Sequence, residues 1–237
     1  MKKFTDSLKD FARYPSAIAG LLIVLGLILF SIYTMIKIPY REAIYQWRGT
    51  EAVVYKNPKN AKPTWFNWFL KDKLPVSVDV VAGEVDEFTK ESTPREKGGN
   101  SIDFEYTFDY NYNQLPQDIF MYFTSNYNDK NPFVVITMTT PSGEEIKVFD
   151  AGISRRTNVR FGQDENLLKR LNRLHQRDSE NQLRNVMEGL FSKFTTVPPV
   201  MDKGTYVLNI KATTFEEGSD VDAELVMHGT VFGLFGT

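Results

Sequence analysis

No cysteine occurs in the 237 residues. That excludes disulfides, thiolate metal sites and a cysteine nucleophile, so any folded part outside the cytoplasm rests on its core alone. Histidine is nearly as scarce: His175 and His228 are the only two, and neither falls in a ligand spacing such as H-x-x-x-H. There is no G-x-S-x-G motif and no phosphate loop. A basic surplus is missing as well. The formal net charge of −2 divides into +3 over residues 1–40 and −5 over the remainder. A mildly acidic body is a poor match for a phosphate backbone, and no nucleic-acid partner is expected. Nothing in the chain reads as an enzyme, and no catalytic, cofactor-binding or metal-binding residue is assigned.

What the chain does have is one long apolar run. No charged residue lies between Tyr14 and Ile36, and Ala17–Ile36 reads AIAGLLIVLGLILFSIYTMI. Twenty helical residues span roughly 30 Å, the hydrocarbon thickness of a bilayer. A cleaved signal carries a shorter core, about 7–15 residues, ending in a small-x-small site. This run ends Tyr33-Thr34-Met35-Ile36-Lys37, so the helix is expected to be retained as a single pass in the plasma membrane. A short basic N-terminus before a large polar domain favours a cytoplasmic N-terminus. In the lead, Phe4, Leu8 and Phe11 recur at i, i+4 and i+7. That suits either a surface helix on the cytoplasmic leaflet or a frayed tail.

The expected organisation is a cytoplasmic lead over 1–15, a transmembrane helix over 16–37, a connector over 38–75, and an extracytoplasmic domain over 76–237. Pro39 stops the helix. The connector holds Asn57-Pro58, Lys62-Pro63 and Leu74-Pro75, all turn signals. It also holds the aromatic cluster Trp65-Phe66-Asn67-Trp68-Phe69. Tryptophan is enriched at membrane interfaces, but a short helix capping the domain core explains the cluster equally well.

Beyond it strand signals dominate. Ile102, Phe104, Tyr106, Phe108 and Tyr110 alternate with polar residues, the period of a half-buried strand. Further strands are expected over 119–127, 133–139, 145–149, 205–213 and 223–231, with weaker ones over 156–161 and 85–89. Pro141-Ser142-Gly143 reads as a hairpin turn. Two helices are expected over about 164–176 and 180–194. Ser179-x-x-Gln182 serves the second as a capping box, and Leu183, Val186, Met187, Leu190, Phe191 and Phe194 form its apolar face. The fold class is therefore mainly β: one transmembrane helix, then an antiparallel β-sandwich with a helical insertion before a last hairpin.

Three features invite a functional reading and have cheaper structural ones. Tyr106, Tyr110, Tyr112, Tyr122 and Tyr127 suit a sugar or peptide surface, but alternating tyrosines on strands more often pack in a core. The acidic clusters Glu84–Glu87 and Glu216–Asp222 have a spacing that could bind calcium but do not fit the EF-hand pattern, and loop solvation explains both more cheaply. Lys169, Arg170, Arg173, Arg177 and Arg184 read as a solvated helix face.

Two stretches together resemble a known family. The opening Leu8-Lys9-Asp10-Phe11-Ala12-Arg13-Tyr14-Pro15-Ser16-Ala17-Ile18-Ala19-Gly20, running through the apolar helix to Ile38-Pro39-Tyr40, is similar to the first transmembrane helix of dipeptide/oligopeptide-type ABC transporter permeases of the C-subunit kind. The end, Phe232-Gly233-Leu234-Phe235-Gly236-Thr237, resembles the start of the Leu-Gly-Thr-Asp-x-x-Gly-Arg-Asp pattern that precedes the second membrane helix there. The resemblance covers about forty residues of the chain at its two ends. It implies the N-terminal piece of a peptide-importer permease, with residues between forming a long first extracytoplasmic loop near the translocation mouth. The implied partners are the lipid bilayer, the other permease subunit, the ATPase subunits and an extracytoplasmic substrate-binding protein. The remaining membrane helices and the coupling loop are not in this sequence. The alternative is a stand-alone, membrane-anchored β-sandwich module that binds peptide, sugar or a surface partner.

Overall fold

The computed structural model describes residues 14–37, 56–96 and 98–237. The chain divides into two units, Met1–Val54 and Tyr55–Thr237. The amphipathic lead and the first part of the connector lie outside the described residues.

In the first unit, helix α1 runs Pro15–Lys37. Leucine and isoleucine fill it, the Thr34 hydroxyl near its end is satisfied internally (Oγ1 donates to Phe30 O at 2.8 Å), and Lys37 stands in its last turn. No residue from Ile18 to Lys37 is buried in protein, so this is not a core helix. It is long and apolar enough to cross a membrane.

The second unit is a β-sandwich. Its strands are β1 (Val78–Val81), β2 (Phe88–Pro94), β3 (Asn100–Tyr110), β4 (Asp118–Asn126), β5 (Phe133–Thr139), β6 (Glu145–Gly152), β7 (Arg156–Arg160), β8 (Gly204–Thr213) and β9 (Asp220–His228). They form a four-stranded sheet, β1-β9-β4-β7, and a five-stranded sheet, β2-β3-β8-β5-β6, and every pairing is antiparallel. Period-two alternation sends Ile102, Phe104 and Tyr106 of β3 inward to meet Met121 and Phe123 of β4 in one core. Each such side chain contributes about 1.5–3 kcal/mol on burial. Pro141-Ser142-Gly143 does turn β5 into β6: Gly143 takes φ +86 and its N–H donates to Thr140 O at 2.9 Å.

Several expectations need correction. The expected weak strand at 85–89 falls instead at 88–94, and β1 was missed. The last strand ends at His228 rather than Val231. The reason is steric: the backbone of Pro75–Val76 crosses at Gly229, where a Cβ would sit 2.3 Å from Pro75 O. Strands β8 and β9 are not a hairpin either, since they lie in opposite sheets.

The helical insertion lies between β7 and β8: a 3₁₀ turn Phe161–Gln163, then α2 (Glu165–Leu174) and α3 (Val186–Phe191). Asp164 caps α2, accepting from the Asn166 and Leu167 N–H groups. The expected second helix over 180–194 shrinks to six residues because polar side chains hold the preceding backbone in turns. Asp178 Oδ1 accepts from Glu180 N and Asn181 N, and Asn172 Oδ1 accepts from Leu183 N. The cap is Asn185, accepting from Glu188 N, not Ser179. The apolar face is still buried: Phe191 packs on Tyr110 and Tyr206, with ring centroids at 4.7 and 5.0 Å.

Residues 56–75, expected as part of the connector, pack into this unit. Lys62 and Val76 both bridge to Val231, and Ala61 and Leu74 are buried. The aromatic cluster forms a 3₁₀ helix, Thr64–Phe69. It is pinned by Asn67, whose side chain donates to Leu74 O and accepts from Leu74 N.

Candidate binding groove on the five-stranded sheet

The inward residues of β2, β3, β8 and β5 leave the alternate positions facing out, and the register sorts those positions into two rungs. One rung runs Glu91, Asp103, Lys211, Val135 and Asp150; the next runs Thr89, Glu105, Asn209, Thr137 and Lys147. Most of these side chains line an open groove of about 650 Å³. Lys211 Nζ lies 3.5 Å from Asp103 Oδ1, and Lys147 Nζ lies 3.1 Å from Asp150 Oδ2. Each lysine thus offsets one aspartate. Glu91 and Glu105 hold no cation among the described residues, and Glu91 stands directly opposite Asp103. Like charges in that position oppose pairing. The groove is therefore a polar trough with uncompensated negative charge.

The outer face of the four-stranded sheet is not comparably open. Phe120 and Val226 point outward from β4 and β9, yet both are buried. Arg160 lies over the Phe120 ring at 5.3 Å. At its edge Lys56 joins Glu224 and Asp79. Burial, and then hydrogen bonding to Glu224, raises the Asp79 carboxyl above its usual range.

The residues that the sequence offered are placed as follows. Tyr106 and Tyr110 are core; Tyr112 and Tyr122 are half-buried, the former edge-on to Tyr110; Tyr127 lies in a loop under Arg155. They make no common surface. His175 is buried on the insertion, its Nε2 2.8 Å from Gly189 O. Burial, with the Arg177 charge adding, lowers its pKa despite that bond. His228 ends β9 against the Phe120 ring. Among the described residues no acidic or histidine cluster is arranged to hold a metal. The Glu216–Asp222 run instead closes the fold. Glu216 accepts from the Asn128, Asp129 and Lys130 N–H groups, with the Asn128 bond first in holding its carboxyl low. Asp220 and Asp222 clasp Lys90 from the opposite sheet at 2.9 and 2.7 Å. Of the basic helix residues, Arg170 and Arg177 donate to Val148 O and Thr196 O, while Lys169, Arg173 and Arg184 are exposed. Sequence reasoning missed the groove because its rungs join strands far apart in the chain.

No family model matches the chain, and no curated protein does. Solved structures give distant similarities. TmCBM61 in complex with β-1,4-galactotriose aligns over 65% of this chain and 86% of its own, at 7% identity and TM-score 0.26. A carbohydrate-binding module from a study of the β-sandwich superfamily aligns over 73% and 62%, at 9% and 0.28. Infectious bursal disease virus Gx strain aligns over 66% and 34%, at 10% and 0.31. At such scores no ligand passes from those proteins to this one; the sandwich assignment rests on strand order.

Proposed function

We propose that the chain is a membrane-anchored, non-catalytic β-sandwich module that binds an extended, basic peptide in the groove of the five-stranded sheet. The observation that carries this is the pair of unmatched carboxylates, Glu91 and Glu105, on adjacent rungs of an open trough. Lysine and arginine side chains complement them by charge-assisted hydrogen bonds. A sugar ring would be better served by exposed aromatic faces, and the described groove lining has none pointing outward; Phe104 contributes from the core side. Titrating the detergent-solubilised chain with lysine/arginine-rich peptides, acidic peptides and oligosaccharides tests the reading. Basic peptides should bind, and Glu91→Gln with Glu105→Gln should weaken them severalfold. Equal binding of acidic peptides, or selective binding of an oligosaccharide, would overturn it.

A second reading, the extracytoplasmic loop of a peptide-type ABC importer permease, is favoured by a different observation: the two ends of the β-rich unit are laced together. Thr237 N donates to Ala61 O at 3.0 Å and Phe232 N to Lys62 O at 2.8 Å, and Thr237 Oγ1 donates to Pro58 O. A domain carried in a loop between membrane helices must leave near where it begins. On this reading the partners are the second permease subunit, the ATPase subunits and the substrate-binding protein. Coding sequence continuing past Thr237 into a Gly-Arg-Asp-like segment and further apolar helices is the expected result. A stop codon there, with no transporter genes adjacent, would count against it.

A further inference from the structure

The β-rich unit carries a second surface that the groove does not use. With three residues per turn, the 3₁₀ helix Thr64–Phe69 sets Trp65 and Trp68 on one face. Trp65 links them to the C-terminal hexapeptide: its Nε1 donates to Leu234 O at 3.0 Å, and its ring meets Phe69 edge-on at 6.2 Å. Around it Trp68 is 83% exposed, Phe69 77%, Leu234 65% and Phe235 89%. A soluble surface scatters such residues; here Trp65 joins Phe69 to Leu234, and Trp68 and Phe235 are their chain neighbours. Exposed Lys62 precedes the 3₁₀ helix and exposed Lys71 and Lys73 follow it; of the two carboxylates that share a hollow with Lys71 and Lys73, Asp72 accepts from Asn113 Nδ2 at 3.0 Å and Asp109 from Thr205 Oγ1 at 2.6 Å.

We propose that this patch docks on the surface of a lipid bilayer containing anionic headgroups, with the aromatic rings at headgroup level and the lysines against the phosphates. The proposal rests on the reading of α1 as a membrane anchor. The charge of the flanking lysines selects lipid over a protein partner. Lysine is depleted in protein interfaces but suits an anionic membrane surface, while tryptophan is at home at headgroup depth as well as in protein interfaces. The tether points the same way. Residues 38–55 separate α1 from the unit, a reach of at most roughly 60 Å. The chain joins the unit at Lys56–Pro58, where Pro58 O accepts from Thr237, two residues past Phe235. Tethering keeps the patch at high local concentration near the bilayer, so modest affinity suffices.

The test uses the full chain with Trp47→Phe, leaving Trp65 and Trp68 as reporters, in vesicles of phosphatidylcholine and phosphatidylglycerol with lipid brominated high in the acyl chain. The expected result is blue-shifted emission quenched by the brominated lipid, with the shift reduced in pure phosphatidylcholine. Adding Phe69→Ser and Phe235→Ser, both at exposed positions, should abolish the quenching while the thermal transition stays unchanged. Emission that is unquenched while the chain stays with the vesicles through an alkaline wash would overturn the docking and spare the anchor. A chain that washes off would overturn both.

Discussion

Asp118, the first residue of β4, holds Arg160, the last of β7, with Nε 2.5 Å from Oδ2. The same carboxylate accepts from Ile119 N at 2.9 Å and Gly162 N at 2.8 Å. It therefore ties the edge strand of the four-stranded sheet to the start of the helical insertion. Gly162 has no room for a Cβ, which would fall 2.6 Å from Asp118 Oδ1.

The Asp118 side chain is buried but that of Arg160 is 37% exposed, so removing the carboxylate costs chiefly through the two backbone N–H groups that lose their acceptor. Asp118→Ala is expected to destabilise the β-rich unit by about 1–3 kcal/mol. Asp118→Asn should cost less, because both backbone N–H groups donate to Oδ1, and an amide oxygen in that place still accepts them. Urea unfolding followed by tryptophan fluorescence measures both. An alanine variant with an unchanged midpoint would show the ion pair to be idle.

The buried tyrosines set the alkaline limit of stability. Burial, with the Glu87 charge adding, pushes the Tyr106 phenol up to about 12, and Tyr110 and Tyr206 are raised too, by burial first. In the unfolded chain a tyrosine titrates near about 10. The folded state thus favours the neutral phenol. Its contribution is full below pH ~10 and is lost as pH climbs through the folded pKa. The thermal midpoint should be level up to that point and then fall, and Tyr106→Phe should flatten part of the fall. Identical alkaline slopes in parent and variant would remove Tyr106 from this role.

Legibility in the sequence followed how local each signal was. Strand β3 was plain because five apolar residues alternate without interruption, and β5 was found at its observed bounds, Phe133–Thr139. Strand β2, Phe-Thr-Lys-Glu-Ser-Thr-Pro, buries only its first residue; an edge strand with a polar outer face leaves almost no periodicity to read. The apolar face of the second insertion helix was right in its residues and wrong in its conformation, because Asp178 and Asn172 bond the backbone into turns before Asn185 can cap. The groove could not be read at all. Glu91, Asp103, Lys211 and Val135 become neighbours only through the strand order β2-β3-β8-β5, which no local pattern encodes.

The misplaced end of β9 yields its own test. Gly229 donates to Ser77 Oγ at 2.9 Å and lies where a Cβ would strike the Pro75 carbonyl, a backbone atom that cannot swing away. Gly229→Ala is expected to cost about 1–3 kcal/mol through overpacking. Gly143→Ala, at a turn position with open space around it, should cost less, since only its positive φ opposes the new side chain. A Gly229→Ala variant as stable as its parent would mean that the crossing of residues 75–76 gives way.

The groove makes a prediction in which stability and binding move in opposite directions. Glu91 and Asp103 face each other in register, and only Lys211, 3.5 Å from Asp103, offsets them. All three are largely exposed at their charged ends, so the effect on folding is small: Glu91→Lys turns a repulsive cross-strand pair into an attractive one and should stabilise by roughly 0.2–1 kcal/mol. The same substitution removes one of the two unmatched carboxylates and adds a cation to the trough, so affinity for a lysine/arginine-rich peptide should fall at least tenfold, more than with Glu91→Gln. Salt should weaken the parent's binding and leave that of the variant nearly unchanged. Thermal denaturation and peptide titration on the same preparations decide the matter. A residue kept for folding would show a loss of stability on reversal. A residue that costs the sheet stability while holding a ligand shows the gain, and if Glu91→Lys both destabilises the sheet and leaves peptide binding intact, the groove is an ordinary solvated face.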